Sequence, residues 1–174
     1  LICMKKNILI TGISGFIGSS IAIELQNNYF IYGVDNLSHS VKSNIKKLCK
    51  NNHKFIQKDI LKLKKKDLPN NIDIIIHLAG ISSLPECQNN PSYAYNVNVI
   101  GTIKILELAR SFKLKKFIFA STSAVYENNK EKIFKESQQN YPDLIYSMTK
   151  KNCESILKSY SKNYSIPITV LRFF

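Results

Sequence analysis

Short apolar runs alternate with helical patterns along most of this chain. The apolar runs have the length of buried strands, and they cover residues 8–11, 30–34, 54–57, 72–77, 116–121 and 168–172. Apolar positions at helical spacing lie between several of these runs, near residues 16–27, 92–113 and 143–163, with a weaker pattern near 42–50. Continuous apolar strands that alternate with helices are typical of α/β proteins. We therefore predict a doubly wound parallel sheet with helices on both faces.

The first apolar run ends in three glycines, Gly12, Gly15 and Gly18, and a helical pattern follows them. Glycine allows a tight turn and a close approach of the backbone to a ligand, and the following helix N-terminus offers free N–H groups and a positive dipole to a pyrophosphate. The second run ends at Asp35, near the distance expected of a carboxylate that holds a ribose 2′-hydroxyl. The pattern predicts a Rossmann-type dinucleotide site, with an ordinary strand–helix turn as the alternative. Because a 2′-phosphate would meet a like charge at Asp35, we expect NAD rather than NADP.

Composition and charge narrow the class of protein. With 174 residues, of which 44% are hydrophobic and 21% charged, the chain fits one globular domain over residues 1–174. The net charge of +13 comes mostly from lysines spread along the chain without interleaved aromatic residues, so a nucleic-acid partner is not expected. No apolar run has the length of a membrane span, and no signal-peptide pattern opens the chain. The four cysteines lie far apart, which favours neither a metal site nor a disulfide framework and makes a reducing cytoplasm the expected compartment.

The two ends of the sequence raise expectations of their own. Met4 directly precedes Lys5, so we expect residues 1–3 to be non-native. The chain stops at Phe174, just as the sixth predicted strand finishes. A site built on strand ends would lose whatever follows this strand, and we therefore expect this chain to be a fragment of a longer one.

A phenol and an ammonium lie four residues apart in the last helical pattern, at Tyr146 and Lys150, and hence on one helix face. A free phenol, with a pKa of about 10, is a poor base at neutral pH, but a nearby ammonium and a cationic nicotinamide would favour the phenolate. Tyr126 and Lys130 have the same spacing but lie in a polar loop, where nothing fixes the two side chains on one face. We therefore favour Tyr146 as the proton acceptor in an alcohol oxidation. Thr122 lies in a run of hydroxyls after the fifth strand, where it could pass a proton between a substrate alcohol and Tyr146.

Four other residues invite a weaker interpretation. His77 ends a predicted strand, and we expect a structural hydrogen bond there rather than a base. Asp59 follows the third strand and could meet an adenine ring, or it could be a plain turn carboxylate. Phe173 and Phe174 are expected to lie partly in the core, with one ring available to pack on nicotinamide.

Together these motifs resemble those of the extended short-chain dehydrogenase/reductases, specifically the NAD-dependent nucleotide-sugar epimerase/dehydratase family. The resemblance runs from residue 5 to residue 174. The matching segments are Thr11–Gly18, Asp35–Leu37, Asp59–Ile60, His77–Gly80, Asn98–Thr102, Ser121–Tyr126, Tyr146–Lys150 and Leu171–Phe174.

The resemblance implies a set of site residues, a partner and a missing domain. Cofactor contacts would come from Gly12, Gly15, Phe16, Ile17, Gly18, Asp35, Asn36, Asp59, Ile60, Leu78, Ala79, Gly80, Asn98, Tyr146, Lys150 and Phe174. Thr122 matches the catalytic hydroxyl, Tyr146 the catalytic base and Lys150 the catalytic residue that contacts the cofactor ribose. The residues expected near the sugar are Ser83, Thr122 and Tyr146. The helices near 92–113 and 143–163 resemble those of a four-helix homodimer interface. A smaller C-terminal domain that grips the nucleotide-sugar would be absent here.

Five positions distinguish this chain from parts of the family. Glu127 replaces the usual Gly after Val-Tyr, while Ser147 and Thr149 stand where Gly and Ser are common. Sugar dehydratases usually place acidic residues directly after the catalytic threonine, and decarboxylating relatives often have Glu at the second position. Here Ser123 and Ala124 occupy those positions and cannot serve as acids. Epimerisation needs no extra acid, so the epimerase reaction is favoured.

We therefore expect an NAD-dependent 4-epimerase of a nucleotide-sugar, UDP-linked, that oxidises sugar C4 transiently with Tyr146 as base. A dehydratase or reductase of the same family is one alternative. A non-catalytic NAD-binding module or sensor is another. The 174 residues alone are expected to bind NAD weakly and to catalyse little or no turnover.

Overall fold

The computed structural model describes residues 5–131 and 133–174, so the expectation for residues 1–3 lies outside the described residues. The strands are β1 Lys6–Thr11, β2 Tyr29–Asp35, β3 His53–Gln57, β4 Ile74–His77, β5 Lys116–Thr122 and β6 Ile168–Phe173. The α-helices are α1 Phe16–Leu25, α2 Leu84–Asn89, α3 Pro91–Tyr95, α4 Gly101–Arg110 and α5 Ile145–Tyr164. A π-helical turn, Asn96–Ile100, joins α3 to α4. Short 3₁₀ turns cover Lys42–Ile45, Lys50–Asn52, Ile60–Lys62, Lys65–Asp67 and Ser123–Tyr126.

The six strands form one parallel sheet in the order β3-β2-β1-β4-β5-β6. After β3 the chain crosses back over β1 and continues the sheet on its other side. The loops after β1 and β4 therefore leave the sheet in opposite directions, which opens a crevice at the carboxyl ends of the strands. The predicted doubly wound sheet is confirmed.

Apolar side chains on each strand supply both faces of the sheet, because successive residues of a strand point to opposite sides. Ile8 and Ile10 of β1 pack in a buried cluster with Ala22 of α1. Leu9, between them, belongs to a second cluster with Leu157 of α5 and with α4. Helices thus cover both faces, which explains why the strands read as continuous apolar runs in the sequence.

Three details differ from the prediction. The weak helical pattern near 42–50 gives only the 3₁₀ turns at its two ends, because its buried apolar residues, Ile45 and Leu48, are too few to hold a longer helix on the sheet. Strand β4 begins at Ile74 rather than at Ile72, although Ile72 is fully buried. Helix α2 was not predicted, since its six residues are too short for a periodic apolar pattern.

Among the described residues, no helix combines the length and the apolar character needed to cross a bilayer.

Candidate functional site

A cavity of about 490 Å³ lies at the carboxyl edge of the sheet, between the loops that follow β1 and β4. Its volume falls in the range usual for small-molecule and cofactor sites. Most of the predicted site residues line it, namely Gly12, Gly15, Phe16, Ile17, Gly18, Asp35, Asn36, Asp59, Ile60, Leu78, Ala79, Gly80, Thr122, Tyr146 and Lys150. Residues more than a hundred positions apart in the chain therefore meet in one crevice.

The glycine turn forms one wall of the cavity, and its packing leaves no room for larger residues. Gly12 has a φ of +74°, and a Cβ there would lie 2.8 Å from the backbone nitrogen of Ala79. A Cβ on Gly18 would lie 2.2 Å from the carbonyl oxygen of Gly12. Helix α1 begins immediately after Gly15, which caps it without a side chain, so the first N–H groups of the helix have no side-chain partner. This turn fits the pyrophosphate of a dinucleotide.

Asp35 lies nearly buried at the end of β2 and is held by three hydrogen bonds. Its carboxylate accepts from the backbone N–H of Ser14 (3.0 Å) and of Leu37 (2.8 Å), and from the hydroxyl of Ser40 (3.1 Å). The carboxylate is therefore fixed against the glycine turn, as a ribose-binding group would have to be. Asp59 lines the cavity and also accepts from the N–H of Leu61 (2.9 Å), so it is a turn carboxylate at the cavity wall.

Thr122, Tyr146 and Lys150 converge on the cavity from β5 and α5. Thr122 ends β5, and its Oγ1 accepts from the N–H of Ala124 (3.1 Å). Tyr146 is the second residue of α5, and Lys150 follows one turn later on the same side of the helix. The Lys150 Nζ donates to the carbonyl of Ala120 (2.9 Å), which ties the helix to β5.

Burial governs the proton affinities of these groups in the absence of a ligand. It raises the pKa of the Tyr146 phenol, and the neighbouring Thr122 hydroxyl opposes that shift by hydrogen bonding. Burial also lowers the pKa of Lys150, whose ammonium lies 4.9 Å from the centroid of the Phe119 ring. The Tyr146 phenol is thus neutral at physiological pH in this structure. For Tyr146 to act as a base, further positive charge in the cavity would have to stabilise its phenolate.

Asn98 and Ser83 lie beside the cavity without lining it. The buried amide of Asn98 accepts from the N–H of Ile81 (2.7 Å), donates to its carbonyl (3.0 Å) and donates to the hydroxyl of Thr149 (3.0 Å). Asn98 therefore holds the loop after β4 against α5. It would affect a bound cofactor by positioning that loop, whose residues line the cavity. Ser83 caps α2, and its neighbour Ser82 lines the cavity instead.

The aromatic side chain at the cavity end of β6 is Phe173, not the predicted Phe174. Adjacent residues at a strand end point to opposite sides, so only one of the two rings can face the cavity. Phe174 is 89% exposed and stacks on Tyr126 and Phe134 outside the cavity.

His77 has the structural role predicted for it. Its ring is buried, with Nδ1 2.6 Å from the Thr11 hydroxyl and Nε2 3.1 Å from the Thr102 hydroxyl. Tyr126, the competing tyrosine, is buried outside the cavity, where its hydroxyl bonds to Arg172. Neither residue contacts the space in which a substrate would lie.

Several cavity residues were not singled out from the sequence: Val34, Ser38, His39, Ser40, Lys58, Ile81, Ser82, Tyr93, Val97 and Ala120. Most of them lie within a few residues of a strand's carboxyl end, a signal that could have found them. Tyr93 and Val97 lie on α3 and the π-helical turn, and nothing in their spacing marks them.

Comparisons with known proteins agree with this geometry. The sequence model of the family described as GDP-mannose 4,6 dehydratase matches residues 9–174. The UDP-glucuronate 4-epimerase of Thermodesulfobacterium geofontis is 32% identical over 176 residues, which cover 95% of this chain and 54% of that protein. The chain spans about half the length of the curated relatives it matches.

Solved structures resemble the whole chain. The UDP-N-acetylglucosamine 4-epimerase from Methanobrevibacter ruminantium M1, in complex with UDP-N-acetylmuramic acid, superposes with a TM-score of 0.93 at 32% identity, over 98% of this chain and 56% of that one. The UDP-glucuronic acid 4-epimerase from Bacillus cereus, in complex with UDP-glucuronic acid and NAD, gives a TM-score of 0.89 at 34% identity, over 97% and 56% of the two chains. This chain therefore belongs to the NAD-dependent nucleotide-sugar epimerase/dehydratase family of the extended short-chain dehydrogenase/reductases.

Proposed function

We propose that residues 1–174 form the NAD-binding domain of a nucleotide-sugar 4-epimerase whose substrate is UDP-linked. The observation that carries the proposal is the meeting of Thr122, Tyr146 and Lys150 in one cavity with the glycine turn. A reducing cytoplasm as its compartment remains a prediction from the cysteine pattern.

NAD is the cofactor that these residues fit. The glycine turn at the start of α1 would hold the pyrophosphate, and Asp35 with Asn36 would hold the adenosine ribose. The Asp35 carboxylate is nearly buried and bound to three donors, so it cannot turn away from a 2′-phosphate. Like-charge repulsion at that point favours NAD over NADP.

The chemistry assigned to the chain's own residues is a proton transfer at the sugar 4-hydroxyl. When held by the glycine turn and Asp35, NAD would supply reversible hydride acceptance at sugar C4. Tyr146 would take the hydroxyl proton, directly or through Thr122. Because Thr122 Oγ1 accepts from the N–H of Ala124, its own proton is free to be donated along that path. The Lys150 ammonium, beside a cofactor ribose and a cationic nicotinamide, would favour the phenolate that burial alone disfavours.

The distribution of carboxylates around the cavity supports epimerisation over dehydration. Among the described residues, the carboxylates that line the cavity are Asp35, at the end of β2, and Asp59, after β3, both at the proposed adenosine end. The 3₁₀ turn directly after Thr122 carries Ser123 and Ala124 instead of acids. Removal and delivery of protons at neighbouring carbons would need an acid or base there. A dehydratase is the second candidate, since the matching family model carries that name.

We further propose that the protein forms a homodimer through the segments near 92–113 and 143–163. The first comprises α3, the π-helical turn and α4, and the second contains α5. The resemblance to the family implies this interface, and apolar side chains in these segments remain accessible. Ile100, just before α4, is 43% exposed, and Met148 of α5 is 36% exposed.

The test is product analysis with the complete polypeptide that contains this chain. It should interconvert UDP-glucose or UDP-N-acetylglucosamine with the 4-epimer and bind NAD more tightly than NADP. The Tyr146→Phe variant should lose epimerisation by a factor of 100 or more, on the order of a general-base contribution, while it retains NAD. Turnover is measured by chromatographic separation of the sugar nucleotides.

Tyr126→Phe is the matched control, because Tyr126 has the same spacing to a lysine but lies outside the cavity. It should retain turnover. A 4-keto-6-deoxy product would establish dehydration instead, and unchanged turnover in Tyr146→Phe would refute the assignment of the base.

A further inference from the structure

The helix that carries Tyr146 and Lys150 begins without a cap of its own. Leu144 is the N-cap residue of α5, and its side chain cannot accept a hydrogen bond. The first N–H groups of a helix need an acceptor, and an uncapped first turn frays. Tyr146 is the second residue of this helix, so any fraying would move the phenol directly.

Glu127 holds the residues at the start of α5 from the loop after β5, while the N–H of Ile145, the first residue of the helix, donates to Gln88 Oε1 (3.4 Å). Its Oε1 accepts from the backbone N–H of Leu144 (2.8 Å) and of Asp143, and its Oε2 accepts from the Ser147 hydroxyl (2.8 Å). The Ser147 side chain is fully buried, so its hydroxyl depends on this acceptor. A carboxylate at this end of the helix also interacts favourably with the helix dipole.

The same residue is joined to the turn that holds Thr122. The N–H of Glu127 donates to the carbonyl of Ala124 (3.1 Å), and the N–H of Ala124 donates to Thr122 Oγ1 (3.1 Å). A short chain of hydrogen bonds therefore runs from the Thr122 hydroxyl to the first turn of α5. Thr122 and Tyr146 come from different elements, and Glu127 connects those elements at the cavity.

We propose that Glu127 is a positioning residue: its carboxylate fixes the start of α5 to the turn after β5 and thereby sets the Tyr146 phenol against the Thr122 hydroxyl. This inference rests on the proposed function. Glu127 and Ser147 are also two of the positions where the chain departs from the family motifs, and the structure brings these two departures into contact.

The experiment measures kcat, KM and backbone amide exchange in the complete polypeptide with bound NAD. Glu127→Ala should lower kcat about tenfold, because the start of α5 loses its anchor to the turn after β5, and leave KM for the sugar nucleotide within about twofold. Glu127→Gln keeps one acceptor oxygen for the N–H groups of Asp143 and Leu144 and should recover most of the lost kcat. Amide exchange at Asp143 and Leu144 should be faster in Glu127→Ala than in the wild type.

Two controls separate positioning from a general loss of stability. Gln26→Ala removes the hydrogen bond from the N–H of Cys49 (2.7 Å) at the far end of α1, and should lower Tm without a change in kcat. Glu136→Ala removes a carboxylate in the same loop as Glu127, one without a side-chain hydrogen bond to the described residues, and should leave kcat and exchange unaltered.

The outcomes are distinct. Wild-type kcat in Glu127→Ala overturns the inference, whether or not the amides exchange faster. A loss in Glu127→Gln as large as in Glu127→Ala also overturns it, since the charge rather than the hydrogen bonds would then matter. If the wild type fails to epimerise, the proposed function fails and the catalytic part of this inference fails with it. Amide exchange at Asp143 and Leu144 still tests the structural part, which is overturned if exchange is the same in Glu127→Ala as in the wild type.

Discussion

His77 is buried between β1 and α4, and its hydrogen bonds determine its protonation. The Thr102 hydroxyl donates to the carbonyl of Asn98 (2.6 Å), so it accepts from the Nε2–H of His77. The unprotonated Nδ1 then accepts from the Thr11 hydroxyl (2.6 Å). Burial lowers the pKa of His77 to about 3, with a smaller contribution from the charge of Lys150. A neutral imidazole at the end of β4 thus connects the end of β1 with helix α4.

This environment predicts a pH-dependent stability. An unfolded histidine has a pKa of about 6.5, so between that value and about 3 the unfolded chain binds a proton that the folded protein excludes. The contribution of neutral His77 to the free energy of unfolding is fully present above pH 6.5 and is lost as the pH falls towards 3. The free energy of unfolding should therefore drop by about 2 kcal/mol between pH 7 and pH 5. Urea unfolding at the two pH values measures it. His77→Gln should lack this part of the drop, and an equal drop in both proteins would contradict the assignment.

Tyr146 and Lys150 show what spacing can and cannot predict about a residue. Their separation along the helix correctly indicates a common side of α5. It does not indicate that the Lys150 ammonium bonds to the carbonyl of Ala120, or that burial raises the pKa of the phenol. Burial and hydrogen-bond partners depend on residues that are distant in sequence, so a short motif carries no information about them.

The turn between β1 and α1 is the element that the sequence predicts best, because its constraints are local. Gly12 needs a positive φ, and Gly18 packs against the backbone of the same turn. Spacing alone reveals such requirements. Helix α2 and the region 42–50 are predicted poorly, because a helix of one or two turns forms only where tertiary contacts support it.

Two glycine variants separate the fold of this turn from its ligand contact. Gly18→Ala should destabilise the protein by about 2 kcal/mol or more, because the new methyl would lie 2.2 Å from the carbonyl oxygen of Gly12 and the backbone must shift. Gly15 has an ordinary φ of −70°, and the nearest atom to a Cβ there is 3.3 Å away. Gly15→Ala should therefore change stability by less than about 1 kcal/mol, yet weaken NAD binding, since Gly15 lines the cavity. Thermal unfolding measures the stability of each variant, and a titration measures its affinity for NAD. Equal destabilisation by Gly18→Ala and Gly15→Ala would contradict this explanation.

At the scale of the whole molecule, alternation of strands and helices determines the sheet but not every side chain around the cavity. Parallel strands joined by helices leave few topologies, and the observed order is one of the common ones. The choice between Phe173 and Phe174 depends on where β6 ends, which a pattern predicts only to within a few residues. The ion pair of Arg172 with Glu154 (2.7 Å), which ties β6 to α5, joins residues that no motif connects.

The last prediction concerns the assembly. Ile100 is the last residue of the π-helical turn, within the segment 92–113 proposed to form the dimer, and it is 43% exposed. Burial of such apolar side chains drives association. Ile100→Asp would bury a carboxylate at a two-fold interface, where it would meet its copy, so the wild-type dimer should become a monomer at micromolar concentration. Sedimentation velocity measures this. Ile133→Asp changes a 74% exposed isoleucine in the loop after β5, outside the segments 92–113 and 143–163, and should leave the dimer intact. A dimer that survives Ile100→Asp but dissociates in Ile133→Asp would move the interface to the loop after β5.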